Sequence, residues 1–153
     1  MPLSLTAAPV SLVTPSLPRV VVAEDDDAFR GIISDILRSD GYLVEEAKNA
    51  AELLELVALS HEREPQDRIQ LVVSTTTIPG NGGAGLLLGI HAKMQGIPLI
   101  LITRTGERQT QIHAPHFGEV SVIRQPFALN ELRSLVRGLV GTGEAPVSRQ
   151  VAV

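Results

Sequence analysis

The stretch Val20-Val21-Val22-Ala23-Glu24-Asp25-Asp26-Asp27 decides the fold of this 153-residue chain. Its first half is apolar and rich in β-branched residues, which predicts a strand buried on both faces of a sheet. Its second half holds four consecutive carboxylates, which repel one another unless a cation or a helix N-terminus offsets them. The stretch therefore predicts either the beginning of an oxygen-lined Mg²⁺ site or an acidic cap on the helix that follows.

Strand-like and helix-like segments alternate through the rest of the chain. We predict strands over 19–23, 42–46, 70–75, 98–103 and 120–124, and helices over 27–39, 50–59 and 128–140. A glycine-rich loop over 80–85 precedes a helical segment over 86–94, and a poorly helical segment covers 107–113. Five strand–helix units with short links imply an α/β fold, a doubly wound five-stranded parallel sheet. Sites in such folds lie at the carboxyl ends of the strands.

Composition limits the functions that remain. We expect one domain over 19–140, with a flexible leader over 1–18 and a flexible tail over 141–153. The net charge of −4 disfavours binding to nucleic acid, and the absence of cysteine excludes disulfides and thiol catalysis. No basic signal region and no membrane-length apolar run is present, so we expect a cytoplasmic protein without a membrane segment.

Five short motifs, taken in order, resemble the receiver domain of the bacterial response-regulator, or two-component, superfamily, which has a flavodoxin-like (CheY-like) fold. They are Val22-Ala23-Glu24-Asp25-Asp26, Gly41-Tyr42-Leu43-Val44, Ile78-Pro79-Gly80, Thr103 and Gln125-Pro126-Phe127. Each motif is weak alone, but the five on a repeated strand–helix pattern are fairly specific for this fold. The resemblance covers roughly residues 19–140.

The resemblance implies a particular chemistry. Receivers hold Mg²⁺ with an acidic pair after the first strand and an aspartate at the end of the third, and that aspartate accepts a phosphoryl group from a histidine kinase. A hydroxyl after the fourth strand and a lysine before a proline after the fifth bind the phosphoryl oxygens. Here Glu24 and Asp25 match the acidic pair, Thr103 the hydroxyl and Pro126 the proline.

Three positions depart from that pattern. The acceptor position falls on Thr75, the lysine position on Gln125, and the position of the switch aromatic on Val122. A threonine hydroxyl is neutral and cannot form an acyl phosphate, and glutamine supplies no ammonium to neutralise the transferred phosphoryl group. We therefore predict a pseudo-receiver with a degenerate phosphorylation site and no catalytic residues.

The acids that remain, Glu24, Asp25 and Asp26, form a residual acidic pocket in this interpretation. Mg²⁺ binding at Glu24 and Asp25 is expected to be weak or lost, so no cofactor is expected. A solvated acidic cap on the first helix is the favoured role of these carboxylates.

Basic residues in the second half of the chain form a candidate interaction surface: Arg104, Arg108, His113, His116, Arg124, Arg133 and Arg137. Ordinary solvated charge is the favoured explanation for exposed arginines, and a contact patch for an acidic partner or a phosphorylated ligand is the sharper one.

We expect a phosphorylation-independent protein–protein interaction module and not an enzyme. Its partner would be a histidine kinase or another signalling protein, or a second copy of the chain. Two alternatives stay open: a sensor of an anionic nucleotide or other small ligand, and, less favoured, an atypical receiver that still accepts phosphate.

Overall fold

The computed structural model describes residues 17–78, 89, 96–104 and 120–141. Along this part of the chain the elements are β1 (Arg19–Ala23), α1 (Asp27–Ser39), β2 (Leu43–Ala47), α2 (Ala50–Ser60), a 3₁₀ turn (Pro65–Asp67), β3 (Ile69–Thr75), β4 (Leu99–Thr103), β5 (Val120–Arg124) and α3 (Leu129–Val140). The loop predicted over 80–85 and the helical segments predicted over 86–94 and 107–113 lie outside the described residues, apart from Gly89. No helix in the described part is long and apolar enough to cross a bilayer.

The five strands form one parallel sheet in the order β2-β1-β3-β4-β5. The predicted α/β doubly wound architecture is therefore confirmed. The predicted start of β2 at Tyr42 is wrong by one residue: the backbone N–H of Tyr42 donates to the Leu37 carbonyl of the preceding helix, and Leu43 is the first residue to join the sheet.

The core has two halves, one on each face of the sheet, because successive strand residues point to opposite faces. α2 covers one face, and α1 and α3 cover the other. On the α2 face the fully buried side chains include Val21, Val72, Leu99, Leu101 and Leu53. On the other face they include Val20, Val22, Leu71, Val73, Ile100, Ile102, Ile33, Leu37, Leu132 and Val136. The central strands are thus aliphatic on both sides, as their sequences predict.

The acidic stretch after β1 passes directly into α1. The Asp26 carboxylate accepts hydrogen bonds from the backbone N–H groups of Ala28 and Phe29, so Asp26 is the N-cap of the helix. At the other end Asp40 is the C-cap, and Gly41 follows with φ of 97°. A left-handed φ of this kind favours glycine, which explains why the helix ends where the sequence predicts.

The edge strand β2 carries two adjacent glutamates, Glu45 and Glu46, which point to opposite faces. Each is bound by two arginines at N···O distances of 2.8–3.2 Å: Arg19 and Arg63 hold Glu45, and Arg30 and Arg38 hold Glu46. Burial raises the pKa of Glu45, but the hydrogen bonds from Arg63 and Arg19 outweigh it and hold that pKa below its ordinary value. The edge strand is therefore flanked by paired charge on both faces.

Two polar contacts fasten α3 to α1 and to the start of β2. Arg133 donates two hydrogen bonds, of 2.8 and 2.7 Å, to the carboxylate of Asp40. The Tyr42 hydroxyl donates to the carbonyl of Gly141 at 2.5 Å. Burial raises the pKa of Tyr42. These contacts fix the end of α3 against the opposite end of the sheet from the acidic stretch.

Candidate functional site

The carboxyl ends of β1, β3, β4 and β5 meet at one edge of the sheet. The parallel register pairs Ala23 with Ser74, and Thr75 with Ile102. Backbone hydrogen bonds continue the pattern one step further, from Glu24 N–H to the Ala47 carbonyl and from Gln125 N–H to the Thr103 carbonyl. The residues next to these strand ends, which include the predicted site positions, are therefore brought to one edge.

Glu24 is the central side chain of this edge, and only 1% of its surface is exposed. The hydroxyl of Thr75, which is itself 1% exposed, donates to Glu24 Oε2 at 2.5 Å. The backbone N–H of Asp26 donates to Glu24 Oε1 at 3.3 Å. The guanidinium of Arg104, at Nη2, lies 4.0 Å from the same Oε1. The buried carboxylate is thus satisfied by groups of the protein itself.

The other acids of the stretch differ from Glu24 in their exposure. Asp25, Asp26 and Asp27 are all exposed, and Asp26 is committed to capping α1. The hydrogen bond and charge of Arg30 lower the pKa of Asp27. The role of helix cap that was predicted for these carboxylates therefore applies to Asp26, whereas Glu24 is buried.

Arg30 is a buried residue of this region that the sequence analysis missed. Its guanidinium donates to the Glu24 carbonyl at 2.8 Å, to Asp27 Oδ1 at 2.6 Å and to Glu46 Oε1 at 2.9 Å. The hydrogen bond to Asp27 first, and then the contacts with Glu46, outweigh the effect of burial and raise the pKa of Arg30. The spacing of Asp27 and Arg30, three residues apart on a helix, is the one sequence signal that could have indicated the pair.

The remaining predicted site positions lie at the ends of β4 and β5. Thr103 and Gln125 are both half-buried, and the Gln125–Pro126 peptide bond is cis. Arg124, which precedes Gln125, is exposed. Val122 is 52% exposed. It lines an open groove between β5 and α3 with Ile123, Asn130, Glu131, Ser134 and Leu135.

The residues at this edge do not fit a receiver-type Mg²⁺ site. Such a site draws several carboxylate oxygens to one ion. Here Glu24 is the only buried carboxylate among the described residues, and the neighbouring strand contributes the neutral hydroxyl of Thr75. No group of three or more His, Cys, Asp or Glu side chains suited to a metal occurs in the part of the chain that the structure describes.

The candidate interaction residues are dispersed. Arg104 lies at the pocket, and Arg124 and Arg137 are exposed on β5 and α3. Arg133 is occupied by Asp40 within the fold. The other predicted members, Arg108, His113 and His116, lie outside the described residues.

Several known proteins are similar to this chain in sequence. The family described as Response regulator receiver domain matches residues 20–137. Protein PetR of Rhodobacter capsulatus is 26% identical over 121 residues, 79% of this chain and 48% of PetR. The two-component response regulator-like protein PRR73 of rice is 31% identical over 119 residues, 76% of this chain and 15% of that protein. The response regulator MprA of Mycolicibacterium vanbaalenii is 26% identical over 151 residues, 87% of this chain and 62% of MprA.

Solved structures agree. A CheY-like receiver domain protein from Methanospirillum hungatei superposes with a TM-score of 0.67 at 25% identity, covering 80% of this chain and 93% of that one. The non-phosphorylated receiver domain of HemR from Leptospira biflexa gives 0.64 at 26% identity, covering 80% and 93%. This chain therefore spans less than two thirds of its curated relatives but nearly all of an isolated receiver. It belongs to the response regulator receiver domain family of two-component signalling.

Proposed function

We propose that this chain is a pseudo-receiver: a receiver domain that acts by phosphorylation-independent contact with other proteins in bacterial two-component signalling. The hydrogen bond from Thr75 to Glu24 is the observation that carries the proposal. Thr75 places a neutral hydroxyl at the position where the family's chemistry needs an ionised carboxylate as the phosphoryl acceptor. The buried carboxylate is satisfied without a metal or a phosphoryl group.

The chemistry of the side chains supports this proposal. Aspartyl phosphate forms on a carboxylate, and Thr75 offers a hydroxyl that already donates to Glu24 and is shielded from solvent. Gln125 supplies no positive charge to a transferred phosphoryl group, whereas ammonium and guanidinium groups are the usual stabilisers of such charge. Arg124 is the last residue of β5 and is exposed, whereas Gln125 is half-buried, so the two side chains lie in different environments.

A function based on protein contacts needs only exposed surface, which the receiver fold of this chain provides. The exposed arginines Arg124 and Arg137 and the groove between β5 and α3 are accessible to a protein partner. The partner would be a histidine kinase or another signalling protein, and self-association through the same surface is a variant of the proposal. Contact of this kind needs neither catalysis nor a cofactor.

Phosphodonor labelling tests the proposal directly. The protein is incubated with acetyl phosphate and Mg²⁺, and its intact mass is measured. We expect no phosphoryl adduct, while a family member with an aspartate at the acceptor position is labelled in the same reaction. The variant Thr75→Asp combined with Gln125→Lys is the matched gain-of-function control. An adduct on the unmodified chain would overturn the proposal and favour an atypical active receiver.

A thermal-shift screen against nucleotides tests the sensor alternative. A ligand at about a hundredfold its Kd raises the free energy of unfolding by about 2.7 kcal/mol, which shifts the melting temperature by several degrees. We expect no such shift with mono-, di- or triphosphates. A saturable shift that is lost in Arg124→Gln or Arg137→Gln would replace the contact proposal with ligand sensing.

A further inference from the structure

The buried Glu24 carboxylate has neutral hydrogen-bond donors on both oxygens but needs a positive charge nearby. Thr75 donates to one oxygen and the backbone N–H of Asp26 to the other. Both donors are uncharged, and a carboxylate with 1% exposure loses almost all of its hydration. Burial of a charge is unfavourable unless an opposite charge compensates it. A positively charged group must therefore lie close to the Glu24 carboxylate.

Among the described residues, Arg104 forms an ion pair with this carboxylate. It is the first residue after β4, and its guanidinium reaches past the end of β3 to within 4.0 Å of Glu24 Oε1. Arg30 also contacts Glu24, but through the carbonyl oxygen, and its charge is shared between Asp27 and Glu46. Arg104 is 53% exposed, so the pair joins a buried anion to a cation at the mouth of the pocket.

We infer that Arg104 is a tethered counter-ion for Glu24 and takes the electrostatic place of a divalent cation at the mouth of this pocket. The inference rests on the proposed function in one respect, the absence of an acceptor carboxylate at Thr75. Beyond that proposal, Arg104 is the residue whose charge makes a metal unnecessary. Arg104 is a positioning residue here: it holds Glu24 in its buried rotamer, and through Glu24 it keeps the Thr75 hydroxyl engaged.

A tethered cation and a free one compete for the same carboxylate oxygen. Arg104 carries its charge on the chain at high local concentration, so free Mg²⁺ gains little by entering while the guanidinium stays in place. Removal of the guanidinium leaves the Glu24 carboxylate without its counter-ion. A hydrated divalent cation at the mouth of the pocket, held by charge and not by a set of protein ligands, then offsets this carboxylate better than Na⁺ does. The prediction is a metal response that appears only when Arg104 is neutralised.

The test compares Arg104→Gln with Arg124→Gln, which removes an exposed arginine at the end of the neighbouring strand β5. Melting temperatures are measured at low ionic strength with MgCl₂ and with NaCl of matched ionic strength. We expect Arg104→Gln to melt roughly 3 °C below the unmodified protein in NaCl and to recover in MgCl₂. The unmodified protein and Arg124→Gln should melt alike in the two salts. Arg104→Lys keeps the charge and should resemble the unmodified protein.

Two results would overturn the inference. One is an Arg104→Gln variant with the same response to Mg²⁺ as Arg124→Gln. The other is an equally large Mg²⁺-specific shift in the unmodified protein. Neither measurement contains a phosphodonor, so failure here leaves the labelling result intact, and labelling of the unmodified chain would leave this comparison intact.

Discussion

Replacing Thr75 with valine should weaken the domain through one lost hydrogen bond. Valine has nearly the same shape as threonine, so the packing of the side chain is kept while the donor to Glu24 Oε2 is removed. Both residues are 1% exposed, and water cannot replace the donor without opening the pocket. A hydrogen bond to a charged group contributes about 1.5–3 kcal/mol, so we expect a loss of about 2 kcal/mol. For a domain of this size that corresponds to a melting temperature lower by roughly 8 °C.

Urea unfolding followed by far-UV circular dichroism measures this change, since the chain has no tryptophan and a single tyrosine. Thr75→Ser is the matched control: it keeps the hydroxyl and loses a methyl group, at a cost of about 1 kcal/mol. Glu24→Gln keeps an acceptor oxygen but removes the charge, so a double-mutant cycle with it isolates the part of the interaction that depends on the charge of the carboxylate. If Thr75→Val is as stable as the unmodified protein while Thr75→Ser is weakened, the hydroxyl contributes nothing and the reasoning about this pocket is refuted.

Three further predictions concern the scaffold. Ser34 is fully buried in α1 and its hydroxyl has no partner among the described residues, so Ser34→Ala should raise the free energy of unfolding by about 1 kcal/mol in urea titrations; a loss of stability would point to a hidden partner. The folded-state pKa of Glu45 is depressed, so its contribution is present above pH of about 4.5 and is lost as pH falls through the lowered value. Glu45→Gln should therefore show a shallower decline in stability between about pH 5 and pH 3, and an unchanged slope would contradict this. The pKa of Tyr42 is raised by burial, so its contribution to stability is present below about pH 10 and is lost as the pH rises through the folded-state value. Tyr42→Phe should lower the free energy of unfolding by about 1 kcal/mol at pH 7, because the hydrogen bond to Gly141 is removed. Above about pH 10 the variant should lose less stability than the unmodified protein, as followed by circular dichroism.

The sequence is most informative about the fold where a single physical pattern dominates. The aliphatic runs of β1, β3 and β4 are buried on both faces, and the spacing of apolar residues in α1 and α3 sets the bounds of these helices to within a residue. Small errors arose where tertiary contacts compete, as at Tyr42, whose backbone N–H bonds to the preceding helix.

The site is harder to predict, because its contacts depend on rotamers and not on pattern. The register of parallel strands brings Glu24 and Thr75 to one edge, and the sequence indicates that much. It does not indicate that the hydroxyl of Thr75 donates to a carboxylate 51 residues away, or that Arg104 reaches over β3 to the same group. Residues assigned in sequence to a contact surface, such as Arg133, acquire partners inside the fold once the helices are packed.

The paired charges on β2 also affect where the sheet can take part in aggregation. A bare sheet edge is a template onto which a foreign strand can add, and inward-pointing charges on the edge strand are one natural defence against fibril growth. Any chain approaching β2 meets Glu45 and Glu46 with their four arginines, and must strip water from those groups or break the pairs. The other edge strand, β5, has the exposed side chain of Val122 at its centre. The described residues include no comparable set of ion pairs on this strand. Because the Val122 side chain is 52% exposed on this strand, a charged residue placed there should slow aggregation of the concentrated protein.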